Sequence, residues 1–229
     1  LPLGAFLSGF GSPNFTAASA GFFCGNGLHP VAYILTGSND VHPDLRHCRY
    51  MVQFGTHYGF VAQNNAMGMA QELSEARDRG MRLVVIDPVL STPASQADEW
   101  VPIRPGTDAA LALSMMNVLI NELDLHDAEY LRLYTNLPYL VGEDGRYVRE
   151  EGTDKPLLFD RGTDRAVPYD AAEGADVSLE GSYTVGGRKA RTAFELFREH
   201  LKGYPPEEAA SITTIPAKTI RRLAREFGE

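Results

Sequence analysis

The sequence contains few cysteines, no long apolar run and no cluster of basic residues. Two cysteines in 229 residues, Cys24 and Cys48, are too few for a disulfide framework. No apolar stretch approaches the roughly 18–20 residues that a membrane-spanning helix requires. The net charge of -9, without grouped Lys or Arg, argues against a nucleic-acid partner or an anionic membrane surface.

Several common ligand-binding motifs are also absent from the sequence. Neither Gly-x-Gly-x-x-Gly nor Gly-x-x-x-x-Gly-Lys-Ser/Thr occurs, which disfavours the usual NAD and P-loop binding modes. Neither cysteine belongs to a CxxC pair, so no zinc-binding spacing is present. The chain also starts without Met and without a signal-peptide pattern, and we expect it to be a segment of a longer polypeptide.

The periodicity of apolar residues predicts alternating strands and helices. A strand at 50–54 is followed by a helical pattern at 63–79 and by a strand at 82–87 with four consecutive apolar residues. Such a buried strand, reached through a helical crossover, is typical of a parallel sheet. A further strand at 100–103 precedes a long helix from 108 to about 123. We therefore predict an α/β fold, a three-layer α/β/α domain with a mostly parallel, Rossmann-like sheet.

Changes in composition divide the chain into four parts. We expect a loop-rich segment without a clear period at 1–49, an α/β core that binds a dinucleotide cofactor at 50–136, an insertion or loop region at 137–192, and a helical return to the core at 193–229. The last part includes a helix near 193–201. It also includes a helix with one apolar face formed by Ile220, Leu223, Ala224 and Phe227.

Three loops follow the predicted strands, at 55–57, 87–88 and 105–108. In open α/β sheets, ligands bind at the carboxyl ends of the strands. Gly55 allows a phosphate to approach the backbone closely, and Thr56 adds a hydroxyl donor. Asp87, at the end of a buried strand, is suited to accept hydrogen bonds from ribose hydroxyls.

The residue types leave two interpretations open for Asp108. A carboxylate at a helix start stabilises the helix dipole, and Thr107 can serve as the cap. Alternatively, its two oxygens can accept hydrogen bonds from N1–H and N2–H of guanine, a donor pair that adenine lacks. A lone histidine after a strand, such as His57, is more often structural than a ligand.

Two segments resemble a known family. The run RLVVIDPVLSTPASQADEWVPIRPGTDAALALSMMNVLI, from Arg82 to Ile120, is similar to the molybdopterin-guanine-dinucleotide enzymes of the dimethyl sulfoxide reductase family. Their pattern is a strand ending in Asp-Pro, then Ala-Asp, then a Pro-Gly-Thr-Asp helix start. The segment ASITTIPAKTIRRLAREF resembles a later helix of the same family, whereas 142–192 matches poorly.

The resemblance implies a molybdenum oxidoreductase that binds bis-molybdopterin guanine dinucleotide and exchanges two electrons with a small inorganic or organic substrate. It also implies an iron–sulfur cluster outside this segment and, as partner, an iron–sulfur protein for electron transfer. One guanine dinucleotide would be lined by Gly55, Thr56, His57, Asp87, Pro88, Thr92, Gly106 and Asp108, with Asp108 on the guanine. Two positions depart from the family pattern: His57 replaces the usual Asn, and Val89 the usual Arg.

Cys24 is the residue that the resemblance implies as the molybdenum ligand. It lies roughly 30 residues before Gly55, in a loop rich in Gly and Asn, where family members carry Cys, selenocysteine, Ser or Asp. A thiolate is a suitable soft ligand for such a metal. The alternative is that Cys24 is a small buried residue, as cysteines usually are.

Two other functions compete with this one. The large iron–sulfur component of respiratory complex I retains such a domain as scaffold and electron conduit, without molybdenum. The presence of Cys24, Asp87 and Asp108 argues against that interpretation, because a scaffold needs no guanine site. The second alternative is a simple nucleotide-binding module with a doubly wound fold.

Overall fold

A computed structural model describes residues 2–13, 27, 29–38, 41–60, 66–172 and 174–229 of the chain. Its internal contacts divide the chain into two units, 1–48 and 49–229. The first unit contains the helices α1 (Pro2–Phe10) and α2 (His29–Thr36), within the range predicted to be rich in loops. Both helices expose apolar side chains, such as Phe10 with 76% and Ile34 with 84% exposure.

A three-stranded parallel sheet organises the second unit. Its strands are β1 (Tyr50–Phe54), β2 (Arg82–Ile86) and β3 (Glu99–Val101), adjacent in that order. Phe54 pairs with Ile86, and Ile86 pairs with Val101, so the three strands end level with one another. The predicted parallel sheet is confirmed.

One face of this sheet carries the main hydrophobic core. Val84 and Ile86 of β2 lie on this face and are fully buried. They pack with α5 (Asp108–Asn117), its π-helical continuation (Val118–Glu122), α8 (Pro206–Thr213) and α9 (Ala217–Gly228). The buried residues that these helices contribute include Leu111, Met115, Val118, Ala209, Ile220, Leu223 and Ala224.

The alternate residues of β2 form a second core on the opposite face. Leu83 and Val85 pack there with Ala94 of α4 (Thr92–Gln96). α3 (Ala66–Asp78) contributes buried Leu73 and Ala76 and borders a cavity with the end of α4. Helices therefore cover both faces of the sheet, and the predicted three-layer α/β/α fold is confirmed.

The region 137–192, predicted to be an insertion or loop region, forms two small antiparallel sheets. One has the order β4–β8–β7, with β4 (Leu140–Gly142), β7 (Ser182–Val185) and β8 (Arg188–Thr192); the other pairs β5 (Leu157–Asp160) with β6 (Arg165–Pro168). A short 3-10 turn, Tyr169–Ala171, follows β6. These strands are stabilised by contacts distant in sequence, such as the ring stacking of Phe159 on Tyr183 with centroids 3.7 Å apart.

Two further helices connect this region to the main core. α6 (Ala128–Tyr134) precedes β4, and α7 (Ala193–Leu201) follows β8. Phe194 and Leu201 of α7 pack with Ile120 and with Leu179 of the β region. The helix predicted near 193–201 is confirmed within these bounds.

α9 closes the core and is tied to the amino ends of the strands. Its predicted apolar face is buried at Ile220, Leu223 and Ala224, whereas Phe227 at the end of the same face is 56% exposed. Phe227 lies in the last turn of the helix. In the same turn the Glu226 carboxylate accepts a hydrogen bond from the Tyr50 hydroxyl of β1 at 2.8 Å.

Candidate functional site

The three loops singled out in the sequence lie side by side at the carboxyl edge of the parallel sheet. The backbone ladder extends one residue beyond the strands, because Gly55 N–H donates to the Ile86 carbonyl at 2.9 Å and Asp87 N–H to the Val101 carbonyl at 3.2 Å. Six of the eight predicted cofactor-lining residues fall on the loops that follow the three strands, namely Gly55, Thr56, His57, Asp87, Pro88 and Gly106, and the other two, Thr92 and Asp108, begin the helices to which the second and third loops lead.

The first loop turns sharply after β1. Gly55 has φ +55°, a left-handed conformation that glycine adopts without strain, and a Cβ built there would meet no atom within 4 Å. Thr56 and His57 follow with exposed side chains. The buried Gln53 side chain fixes the return of the loop, since its Nε2 donates to the Tyr58 carbonyl at 3.1 Å. Open space therefore borders the backbone at Gly55.

The second loop is held by Asp87. This residue is only 5% exposed, and its carboxylate accepts hydrogen bonds from Val89 N–H at 3.1 Å and from the Ser91 hydroxyl at 2.7 Å. The Asp87 carbonyl accepts a third bond from the Trp100 indole N–H at 2.9 Å. Asp87 thus has an observed structural role, and the sequence reasoning missed both Ser91 and Trp100.

The rest of the second loop is on the surface. Pro88 is exposed, and Thr92 is the exposed first residue of α4. Val89 and Leu90 are 62% and 61% exposed, so an apolar surface borders the site where the family pattern usually has an Arg.

The third loop leads into α5. Gly106 has φ +78°, again left-handed. Thr107 is the N-cap residue of α5, but its hydroxyl donates to the Arg104 carbonyl at 2.6 Å and makes no cap bond to the helix. Asp108 lies in the first turn, as the helix-dipole interpretation requires. Arg104 N–H in turn donates to the Thr213 carbonyl of α8 at 3.0 Å, which ties the loop to the core.

Asp108 is the exposed carboxylate of this edge. It begins α5, and among the described residues its carboxylate has no hydrogen-bond or ion-pair partner. Both oxygens are therefore available as acceptors, next to the positive end of the helix dipole. An exposed acceptor pair, exposed hydroxyls and glycine turns at the carboxyl edge of a parallel sheet are typical of α/β domains that bind nucleotides.

Cys24, the predicted molybdenum ligand, lies outside the residues that the structure describes. Within the described ranges, no group of three or more His, Cys, Asp or Glu side chains is arranged to hold a metal ion. None of the helices described is both long and apolar enough to cross a membrane.

Comparison with known proteins assigns the family. Residues 4–199 match the model of the molybdopterin oxidoreductase family. The chain belongs to this family, which confirms the resemblance seen in the sequence and implies a molybdenum–pterin cofactor.

Individual relatives agree with this assignment. The dimethylsulfide dehydrogenase alpha chain of Rhodovulum sulfidophilum is 36% identical over 69% of this chain and 19% of its own length. The perchlorate reductase alpha chain of Dechloromonas aromatica is 31% identical over 90% of this chain and 27% of its own length. The solved structure of acetylene hydratase from Pelobacter acetylenicus superimposes with a TM-score of 0.56 at 26% identity, over 99% of this chain and 22% of that one. The chain thus spans about a fifth to a quarter of the length of these relatives.

Proposed function

We propose that the carboxyl edge of the parallel sheet binds one guanine dinucleotide of a bis-molybdopterin guanine dinucleotide cofactor. The whole protein would be the catalytic component of a molybdenum oxidoreductase. The observation that carries the proposal is the convergence of the three predicted loops at one edge, in a chain of the molybdopterin oxidoreductase family.

The residues at this edge fit a guanine nucleotide. Asp108 offers two acceptor oxygens without a partner among the described residues, which matches the N1–H and N2–H donors of guanine. The left-handed turns at Gly55 and Gly106 leave open space beside the backbone, where a phosphate or sugar needs close approach. Thr56 and Thr92 expose hydroxyl groups that can donate to phosphate oxygens.

Asp87 would have two roles at once. Each of its carboxylate oxygens already accepts one hydrogen bond inside the loop. A carboxylate oxygen has a second lone pair, and we assign that acceptor to a ribose hydroxyl. The internal bonds would then orient the carboxylate for the sugar.

When bound, the cofactor supplies the molybdenum centre at which two electrons are exchanged with the substrate. Cys24 is proposed as the protein ligand to that metal. The names of the relatives refer to dimethylsulfide and perchlorate, and both are alpha chains. We therefore propose a small oxyanion or sulfur compound as substrate, an iron–sulfur cluster elsewhere in the protein, and, as partner, an iron–sulfur protein for electron transfer.

Replacement of Asp108 by Asn tests the guanine assignment. Asn keeps the size of the side chain but presents one donor group in place of the second acceptor, so it is mismatched to guanine. We expect D108N in the full-length protein to lose guanine nucleotide at least tenfold faster than wild type, since a charge-assisted hydrogen bond contributes about 1.5–3 kcal/mol. The assay is the nucleotide that remains after gel filtration of anaerobically purified protein.

Glu129→Gln is the matched control. Glu129 is also an exposed carboxylate in the first turn of a helix, α6, but it lines a cavity together with Leu158 and Tyr169 of the region of small sheets. Equal nucleotide retention in D108N, E129Q and wild type would contradict the assignment of Asp108 to guanine. A wild-type protein that retains adenine nucleotide would favour the simple nucleotide-binding module instead.

A further inference from the structure

Trp100 makes an unusual contact across the sheet. It lies in the short edge strand β3 and pairs in register with Val85 of β2. Its indole N–H donates to the carbonyl of Asp87, two residues further along the chain than Val85, at 2.9 Å. The side chain thus connects β3 to the start of the second loop of the candidate site.

This bond completes the fixation of Asp87. Its N–H is held by the Val101 carbonyl, and its carboxylate holds the turn that follows. The Asp87 carbonyl belongs to the peptide that joins it to Pro88. Since proline has a fixed φ and no N–H, the direction of the loop depends on how that peptide is oriented. The Trp100 bond is made at that peptide and comes from a different strand.

The position of Trp100 also matters because the residue is 36% exposed. An indole N–H at the surface can be satisfied by water, so burial alone does not require this partner. The contact instead fixes the position of the loop. In a binding loop, a shift of about 1 Å is enough to weaken the binding of a ligand or of a transition state.

We propose that Trp100 is a positioning residue for the cofactor: through the Asp87 carbonyl it holds the carboxylate of Asp87 in place for the ribose. This inference rests on the proposed function. Trp100 itself is not assigned any contact with the cofactor, and its effect is expected to pass through Asp87.

The experiment uses the full-length, cofactor-loaded protein and the variant Trp100→Phe, which keeps an aromatic ring and removes the N–H donor. The control is Tyr50→Phe, which also removes one hydrogen bond made by an aromatic side chain, but at the amino end of the same sheet. The measured quantity is the rate of guanine nucleotide release well below the melting temperature. Circular dichroism and thermal melting of each variant report on folding separately.

We expect W100F to release guanine nucleotide about three- to tenfold faster than wild type, the factor that one neutral hydrogen bond contributes. Y50F should melt earlier than wild type but release nucleotide at the wild-type rate. In an Asp87→Asn background, W100F should add less than about a twofold effect, because coupled residues are not additive.

Different results overturn different claims. Wild-type release in W100F, or the same release in W100F and Y50F, would overturn the positioning role while the proposed function stands. An undiminished effect of W100F in the D87N background would show that Trp100 does not act through Asp87, and would equally overturn it. A wild-type protein that holds no guanine nucleotide would overturn the proposed function, and this inference with it.

Discussion

Replacement of Glu226 by Gln probes the ionic cluster that ties α9 to the sheet. The Glu226 carboxylate accepts hydrogen bonds from Tyr50 at 2.8 Å and from Arg222 at 2.9 and 3.0 Å. Arg222 also binds Glu99 of β3, which in turn binds Arg82 of β2. One carboxylate therefore contributes to holding the last helix against all three strands.

The expected cost follows from burial and charge. Hydrogen bonds to a charged group contribute about 1.5–3 kcal/mol each when they are well buried, whereas exposed ion pairs contribute about 0–1 kcal/mol. The side chains of Glu226 and Arg222 are 25% and 38% exposed, between these limits. Gln keeps the volume and one acceptor oxygen but loses the charge. Because solvent partly screens the charges of these half-exposed side chains, the cost should fall below the value for buried hydrogen bonds. We expect E226Q to lower the free energy of unfolding by about 1–2 kcal/mol near neutral pH.

The effect should depend on pH. Burial alone would raise the pKa of Glu226, but the hydrogen bonds from Arg222 and Tyr50 outweigh it and lower the pKa below its usual 4.5. The stabilisation by the charged form is therefore fully present above pH 4.5 and is lost as the pH falls through the lowered value. Because Gln does not titrate, the difference between wild type and E226Q should shrink in that acidic range.

Urea unfolding measures this difference, with the fluorescence of Trp100, the single tryptophan of the chain, as the signal. Glu229→Gln is the control, since Glu229 follows the same helix and makes a more exposed pair with Arg225 at 3.6 Å. E229Q should change stability by less than about 0.5 kcal/mol. Equal costs for the two variants, or a cost of E226Q that is unchanged in acid, would refute this reasoning.

Two further changes test the packing of the core and of the turns. Leu111 is fully buried between α5 and the sheet, so Leu111→Ala should cost about 2–5 kcal/mol in urea unfolding, and a cost below about 1 kcal/mol would contradict its place in the core. Gly106→Ala places a side chain in open space at φ +78° and should cost about 1–2 kcal/mol, from backbone strain alone. Gly59→Ala adds a Cβ only 2.6 Å from Leu73 Cδ2, so it should lower stability more than G106A. Thermal melting of the two variants measures this difference, and a lower melting temperature for G106A than for G59A would contradict it.

The parallel core was predictable because its signals are local. β1 was predicted within its observed bounds, and β2 within one residue, because each is a compact apolar run. Gly80 ends the pattern of α3 with φ +95°, as a helix C-cap requires. Such features depend on neighbouring residues and not on distant contacts.

The small sheets were not predicted, for two reasons. β5 gains its place through tertiary contacts such as Phe159 with Tyr183, which no local pattern reveals. The β7–β8 hairpin, however, left a signal that was overlooked. Gly186 and Gly187 form a two-residue turn with φ +57° and +79°, and Gly-Gly between extended segments is a hairpin signature.

The candidate site was predictable in its location but not in its internal contacts. Parallel strands bring their carboxyl ends to one edge, so the three loops followed directly from the topology. The sequence does not reveal the hydrogen bonds that Val89 N–H and the Ser91 hydroxyl donate to the Asp87 carboxylate, or the bond from Trp100 to the Asp87 carbonyl. These contacts depend on how the side chains are placed within the turn. The assignments of Cys24 to molybdenum and of Asp108 to guanine remain predictions.

The central claim is that this chain holds part of a molybdenum cofactor that carries guanine dinucleotide. The composition of the full-length protein tests this claim most directly. Molybdenum and guanine nucleotide are measured after anaerobic purification of wild type and of Cys24→Ser. We expect molybdenum together with guanine nucleotide in wild type, and a changed metal spectrum in the variant. A folded, iron-loaded wild-type protein without molybdenum would contradict it and leave the scaffold function in its place.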